Sequence, residues 1–186
     1  MSVNEEIIIR NVDLNDAKEL LRIYAYYVKT TAISFEYDVP TIEEFTERIK
    51  KISLKYPYIV AEMKNATIFG DEVIGYAYAN TFIDRAAYDH CVELTIYLNH
   101  KFQGQGIGKK LYQYLQNELK AMKILNLYAC VAYPLVEDEF LTMNSVNFHK
   151  HLGFEICGHF KKCGYKFDRW YDMVYMEKII NSELRM

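Results

Sequence analysis

Three glycines in five positions, Gly104, Gly106 and Gly108, stand in the run Gln103-Gly104-Gln105-Gly106-Ile107-Gly108, between a strand-like segment and an amphipathic helix. Glycine removes side chains where backbone must pass close to a ligand. The helix that begins there turns unsatisfied N–H groups and a positive dipole end toward the same space. Such a loop holds a pyrophosphate with little positive side-chain charge, and Lys109 and Lys110 add some. Two familiar phosphate loops fail on residue identity. A P-loop needs glycine at 103 and Ser or Thr at 110, where Gln103 and Lys110 stand. A dinucleotide fingerprint needs glycine at 109, where Lys109 stands. The bland alternative is a turn that only joins strand to helix, but three glycines exceed what a turn requires.

The elements that must position this loop are legible from hydrophobic periodicity. In residues 90–98, Val92, Leu94, Ile96 and Leu98 alternate with Glu93, Thr95 and Tyr97, which predicts a strand. Behind the loop, Ile107, Leu111, Leu115, Leu119 and Met122 recur at helical spacing. Residues 127–133 form a nearly continuous apolar run, expected of a strand covered on both faces. Upstream, Ile7-Ile8-Ile9-Arg10 predicts a first strand, and Asp13 opens a helix with Leu14, Ala17, Leu20, Leu21, Tyr24 and Val28 on one stripe. Thr41 and Glu44 form a capping box for a second helix. Residues 58–63 and 73–80 predict a hairpin around an Asn65…Gly70-Asp71 turn. A short helix near Ser145 to His151, ended by Gly153, precedes two strands near 155–165 and 172–178. Strands first, then strand–helix–strand–helix–strand, predict an α/β fold on a mixed sheet rather than a doubly wound one.

Composition narrows the function classes. The chain has 186 residues, 51% hydrophobic and 25% charged, which predicts a single domain over 1–186. Lys+Arg number 22 against 25 Asp+Glu, so no basic excess points to nucleic acid or an anionic membrane surface. The longest apolar runs, such as Tyr58-Ile59-Val60-Ala61, are strand-sized and far short of a bilayer span. The opening Met1-Ser2-Val3-Asn4-Glu5-Glu6 lacks an apolar h-region, so a cytoplasmic protein is expected. Cys91, Cys130, Cys157 and Cys163 form no CxxC pair, and the first three are expected to be small core hydrophobes. No metal site is expected.

Gln103-x-x-Gly106-x-Gly108, after Thr95-Ile96-Tyr97-Leu98 and before an amphipathic helix, resembles the acyl-CoA signature of the GNAT acetyltransferases. The resemblance extends over nearly the whole chain to the phosphinothricin N-acetyltransferase-like branch. It is carried by Ile23-Tyr24…Tyr27-Val28 with Phe35-Glu36, by Arg85…Tyr88…Val92-Glu93, and by Ser145…His149…Leu152-Gly153-Phe154. The tail Gly164-Tyr165-Lys166-Phe167-Asp168-Arg169-Trp170-Tyr171-Asp172 is the most specific match.

The resemblance implies the GNAT acyl-CoA N-acyltransferase fold. In it two neighbouring parallel strands, here 90–98 and 127–133, are splayed, and helices cover both faces of the sheet. Acetyl-CoA is the implied cosubstrate, lying in the splay. Backbone groups of Ile96, Tyr97 and Leu98 would bond its pantetheine arm, and N–H groups from Gly104, Gln105, Gly106, Ile107, Gly108 and Lys109 its pyrophosphate, with Gln103 bracing the loop. Acetyl transfer to an amine raises two proton problems: an amine of pKa ~8 is mostly protonated at neutral pH, and the departing thiol has a pKa of about 8.5. The resemblance casts Glu93 as the base and His149, on a face shared with Ser145 and Leu152, as the group serving the thiolate. A solvated strand carboxylate and a satisfied core histidine are the bland alternatives.

For the acceptor, the branch places Phe35 and Glu36 in a roofing loop, and Arg85 and Tyr88 ahead of the catalytic strand. There Arg85 would pair bidentately with a carboxylate or phosphinate. The tail implies a homodimer. One departure stands out: the branch's CoA-contacting asparagine is replaced by Thr142, with Asn144 two places later, after an unusually long acidic stretch at 134–141. The expected function is therefore acetyl transfer to a small amino-acid-like amine of the phosphinothricin or methionine sulfone type, directly within a ternary complex. The alternatives are a peptide or protein N-terminal or lysine acetyltransferase, and a silent acyl-CoA-binding protein. A peptide enzyme would need an open groove, and binding alone needs neither Glu93 nor His149.

Overall fold

The fold is taken from a computed structural model, which describes residues 6–67 and 70–181, the side chains of 65–71 excepted. In chain order the elements are β1 (Glu6–Asn11), α1 (Ala17–Thr30), α2 (Ile42–Ser53), β2 (Tyr58–Thr67), β3 (Gly70–Thr81), β4 (Cys91–Leu98), α3 (Ile107–Ala121), β5 (Asn126–Tyr133), α4 (Asn144–His151), β6 (Glu155–Lys166) and β7 (Arg169–Ile179). Local chemistry starts the helices where the sequence predicts. The Asp13 carboxylate accepts from the Asn15 N–H, and a 3₁₀ turn over Leu14–Asp16 leads into α1. Thr41 and Glu44 cap α2 reciprocally. The β2–β3 hairpin is longer than expected, and the tip of its turn, at 68–69, lies outside the described residues.

The strands hydrogen-bond in the order β1-β2-β3-β4-β5-β7-β6. Pairing is antiparallel for β1–β2, β2–β3, β5–β7 and β6–β7, and parallel for β4–β5. This is the mixed α/β sheet expected. The β4–β5 ladder holds only three pairs, Cys91↔Asn126, Val92↔Leu127 and Glu93↔Tyr128. Both strands run five residues further, so the parallel pair parts after Glu93.

The chain divides into two compact units interleaved in sequence. The first takes residues up to Ile23, Pro40–Asn80 and Thr95–Ala121. Its core is built on Leu20, Ile49, Ile59, Ile74 and the α3 stripe Ile107, Leu111, Leu115 and Leu119, all fully buried. Met122 does not belong to that stripe: it lies past the end of α3 and is exposed, because the helix stops at Ala121. Arg10 pairs with Asp16 at 2.7 Å and with the buried Glu62 at 2.5 Å, tying β1 to the start of α1 and to β2. Tyr58, Tyr76 and Tyr78 stack with their rings within 22° of parallel, and Tyr97 of β4 leans on Tyr76.

The second unit takes Tyr24–Val39, Thr81–Leu94 and the chain from Met122 onward. On β5 the two faces differ. Leu127, Ala129 and Val131 are buried beneath α4, whereas Tyr128 is half-buried and Cys130 exposed. The expectation that this strand is covered on both faces is corrected at one point: on the face of Tyr128, Asn126 and Ala132 are buried at the two ends, and Cys130 between them stands open. The expectation of core thiols falls with it. Cys130, Cys157 and Cys163 are exposed and Cys91 is half-buried, because their strand positions alternate onto the open face or the edge strand β6. The β6–β7 hairpin closes through Phe167 and Asp168, both left-handed (φ 53° and 59°), as a two-residue hairpin turn demands.

Candidate active site

Glu93 occupies the last rung of the β4–β5 ladder. The register puts it on the same sheet face as Tyr128 and Cys130 of β5 and Tyr175 of β7, since Glu93 faces Tyr128 and Cys130 faces Tyr175. The Tyr175 hydroxyl donates to Glu93 Oε2 at 3.2 Å. Burial pushes the Glu93 carboxyl above the ordinary 4.5, and the Tyr175 hydrogen bond pulls it partly back. Cys130 is exposed as a residue, yet its sulfur is partly desolvated beside Glu93 and Tyr175. Desolvation first, and then the Glu93 carboxylate, push its thiol up to about 11. Cys130 is therefore a neutral thiol at pH 7 and a poor nucleophile.

Aromatic rings connect Glu93 to the loop before β4. Phe82 stacks on Tyr128 with centroids 4.1 Å apart, meets Tyr175 edge-on at 5.9 Å, and is met by Tyr88 at 6.2 Å. Tyr88 ends the 3₁₀ turn Ala86–Tyr88, and its N–H donates to the Arg85 carbonyl at 2.9 Å. The side chains of Arg85 and Tyr88 are exposed. Glu93 and Tyr88 are thus linked through Tyr175 and Phe82, and Arg85 is the residue that precedes the 3₁₀ turn ending in Tyr88.

His149 is 4% exposed, with its ring packed edge-on between Phe148 and Phe154. Its Nδ1 lies 2.7 Å from the Ser145 carbonyl oxygen, so Nδ1 carries the proton and donates. The neutral ring then presents a lone pair at Nε2. Burial lowers its affinity for a second proton below the ordinary 6.5. Asn144 is the exposed first residue of α4, and its N–H donates to Thr142 Oγ1 at 3.4 Å.

Phe35 and Glu36 belong to a loop held down at several points. The Ala32 N–H donates to the Phe140 carbonyl, Lys166 Nζ to the Ser34 carbonyl at 2.5 Å, and the Tyr37 hydroxyl to the Tyr165 carbonyl at 2.6 Å. The Phe35 ring lies over Gly164 and packs on a buried cluster of Ala32, Ala132, Leu141 and Tyr171. Lys166 is 3% exposed, and desolvation lowers its pKa, with Glu36 opposing the shift. The acidic stretch is braced as well: Arg169 bonds both oxygens of Glu139 at 2.9 Å and pairs with Asp138 at 3.0 Å, and the Tyr171 hydroxyl donates to Asp138.

In the first unit, Ile96, Tyr97 and Leu98 end β4 and are half-buried. Gln103, Gly104, Gln105 and Gly106 are exposed, Gly104 and Gly106 are left-handed at φ +77°, and α3 begins at Ile107. Ile107 and Gly108 are buried in its first turn, with Lys109 exposed beside them. A Cβ at Gly104 or Gly106 would meet nothing within 4 Å, so conformation rather than crowding demands glycine there.

Residues 9–175 match the family model described as "Acetyltransferase (GNAT) domain". The chain belongs to the GNAT acetyltransferases. Among curated GNAT relatives, the phosphinothricin N-acetyltransferase of Alcaligenes faecalis is 32% identical over 175 residues, covering 94% of this chain and 83% of the relative. The L-methionine sulfoximine/L-methionine sulfone acetyltransferase of Pseudomonas paraeruginosa is 29% identical over 91% of this chain and 92% of its own. Among solved structures, a GNAT superfamily phosphinothricin acetyltransferase from Sinorhizobium meliloti, in complex with acetyl-CoA, superposes with a TM-score of 0.81. It is 31% identical and covers 94% of this chain and 88% of that one.

Within this GNAT chain the structure adds residues that the sequence reading passed over. Tyr175 and Cys130 read as strand filler, because nothing in their spacing announces that register brings them to Glu93. Lys166 stood inside a recognised tail motif, but its reach of 132 positions back to Ser34 is invisible to local pattern.

Proposed function

We propose that the chain is an acetyl-CoA-dependent N-acetyltransferase that acetylates the amine of a small amino-acid-like molecule of the phosphinothricin or methionine sulfone and sulfoximine type. The observation that carries this reading is Glu93: a half-buried carboxyl of raised pKa where the parallel strands part, on the strand that leads into a left-handed glycine loop. The loop fits the cosubstrate. Its backbone is exposed, the first turn of a 15-residue helix offers unbonded N–H groups, and Lys109 and Lys110 stand beside them.

Acetyl-CoA supplies an activated thioester acetyl. Backbone N–H groups at Gly104, Gln105, Gly106, Ile107, Gly108 and Lys109 hold the diphosphate, with Gln103 bracing the turn. Ile96, Tyr97 and Leu98 offer backbone partners to the pantetheine amides, and Asn144 offers an exposed amide to the cofactor. Glu93 takes the proton from the acceptor ammonium so that the amine can attack. His149 serves the departing thiolate from Nε2: because Nδ1–H is committed to Ser145, Nε2 first takes the proton that the attacking nitrogen sheds on forming the amide bond, and passes it to the sulfur as the C–S bond breaks. Arg85 and Tyr88 bind the acceptor's acidic group, while Phe35 and Glu36 roof it. The raised Cys130 thiol supports direct transfer in a ternary complex over an acyl-enzyme. The interleaving of the two units through β4 and α1 supports one catalytic domain over 1–186, and a homodimer and a cytoplasmic setting complete the reading.

An acetyl-CoA consumption assay over phosphinothricin, methionine sulfone, methionine sulfoximine and short peptides tests it. Turnover is expected on the first three. Turnover on peptides alone, or on none, overturns the reading in favour of a peptide acetyltransferase or a silent acyl-CoA binder.

The roof makes a separate prediction. A Cβ at Gly164 would lie 2.4 Å from Phe35 Cζ and 2.6 Å from Cε1 and Cε2, so Gly164→Ala must displace the ring. The variant should lose about 1–3 kcal/mol of stability. Its acceptor KM should rise by about 3- to 10-fold, with the acetyl-CoA KM unchanged. Steady-state kinetics varying each substrate, with a denaturant titration, checks this; equal rises in both KM values would deny Phe35 its place over the acceptor.

A further inference from the structure

We propose that Tyr175 is the positioning residue for Glu93: its hydroxyl holds Oε2 and leaves Oε1 to the acceptor. The inference rests on the reading of Glu93 as the base.

Three observations carry it. The first is direct contact, the 3.2 Å hydrogen bond from Tyr175 to Glu93 Oε2, made across β5 by two residues of one sheet face. Second, the ring that bears the hydroxyl is fenced. Phe82 meets it at 5.9 Å and 87°, and Phe160 at 6.1 Å and 78°, so the phenol cannot swing from Glu93 without losing both edge contacts. Third, the phenol keeps its proton. Desolvation and the neighbouring Glu93 carboxylate hold Tyr175 well above the ordinary 10.0, and it remains a donor throughout the range in which a carboxylate base works.

The other titratable groups on this face do not substitute for it. The Tyr128 hydroxyl is engaged with Asn126, accepting from its Nδ2 at 3.0 Å; Cys130 offers only a weak thiol donor, and Cys163 of β6 lies beyond it. Tyr88 reaches the cluster only through the Phe82 ring. Glu177 of β7 is the further carboxylate on the face, and it accepts from Asn126 Nδ2 at 3.0 Å. Among the described residues, Tyr175 is the donor placed on the Glu93 carboxylate, where it holds the side chain and favours its charged form. A hydrogen bond to the charged form lowers a carboxyl's pKa. Its loss leaves burial unopposed, so the base becomes protonated at a higher pH and fewer molecules carry the active carboxylate near neutrality.

Tyr175→Phe keeps the ring and deletes only the hydroxyl. Two measurements on the full chain test the proposal. In the first, the Glu93 side-chain carboxyl is titrated by carbon NMR in wild type and Tyr175→Phe, with Glu93→Gln to assign the resonance. In the second, kcat/KM against pH is measured with acetyl-CoA and methionine sulfone. The Glu93 midpoint and the acidic limb are expected to rise together by about one pH unit. Below the limb kcat/KM falls about tenfold; well above it, the variant returns to within about threefold of wild type. On a Glu93→Gln background, Tyr175→Phe should have no further effect on the profile. An unmoved midpoint and limb, or a loss of the same factor at every pH, overturns the proposal while leaving acetyl transfer standing. A raised midpoint in a chain that acetylates no acceptor would instead uphold the Tyr175–Glu93 coupling and remove the reading of function.

Discussion

Glu93→Gln should lower kcat by about 10²- to 10³-fold while leaving acetyl-CoA affinity within about twofold of wild type. Glutamine keeps the size of the side chain and can still accept from Tyr175, so the change removes proton affinity more than shape. General-base assistance is felt only as the amine attacks, and its loss therefore appears in turnover rather than in cosubstrate binding. The pH profile sharpens the test. In wild type the acidic limb of kcat/KM should lie above the ordinary glutamate value of 4.5, because burial disfavours the charged form. Activity is lost as pH falls through that limb, since protonation removes the base. In Glu93→Gln the limb should vanish, leaving the residual rate to follow the free amine of the acceptor. Stopped-flow acetylation and calorimetric titration with acetyl-CoA separate the two effects. If turnover and affinity weaken equally, Glu93 is structural and the proton must leave by another route.

The second large effect is expected at Gly106. Its φ of +77° is a conformation that an L side chain adopts at a cost of about 1–2 kcal/mol. A valine there has open space around its Cβ, so the variant should fold and place the strain in the loop alone. The loop would relax out of the left-handed turn and would have to be driven back when a diphosphate binds. The KM for acetyl-CoA should then rise about 5- to 30-fold, with kcat at saturation changed by less than about threefold. Gly104→Val, at the same φ, should behave alike. The check is a kinetic series in acetyl-CoA beside a thermal melt. An unchanged KM would show that the backbone of this loop does not hold the cosubstrate.

Much of this site was open to reading before any fold was known, because the relevant signals are local. A glycine that must be left-handed, a carboxylate on an alternating strand, and a Thr41…Glu44 cap each depend on residues within a few positions of one another. The helix stripe at 107–119 and the strands before and after it follow from periodicity for the same reason, while their parallel pairing came with the family resemblance. Where local pattern misled, the cause was also physical. Alternation says which residues share a face but not whether that face is covered. Cys130 and Cys157 therefore read as core thiols, although the face of β5 away from α4 is open at Cys130 and β6 is an exposed edge strand.

By itself the sequence determined the family, the order of elements, the glycine loop and the identity of the candidate base, all written in short-range spacing and in motifs. Only the tertiary structure decided what surrounds that base. Strand register, relayed through β5, brought the Tyr175 hydroxyl to Glu93, 82 positions away, and a lysine reaching back over 132 positions fixed the loop that carries Phe35. The Ser145 carbonyl likewise settled which nitrogen of His149 bears its proton. A pKa and a hydrogen bond depend on what lies within a few ångströms in space, and for Glu93 those neighbours come from parts of the chain that no local pattern links.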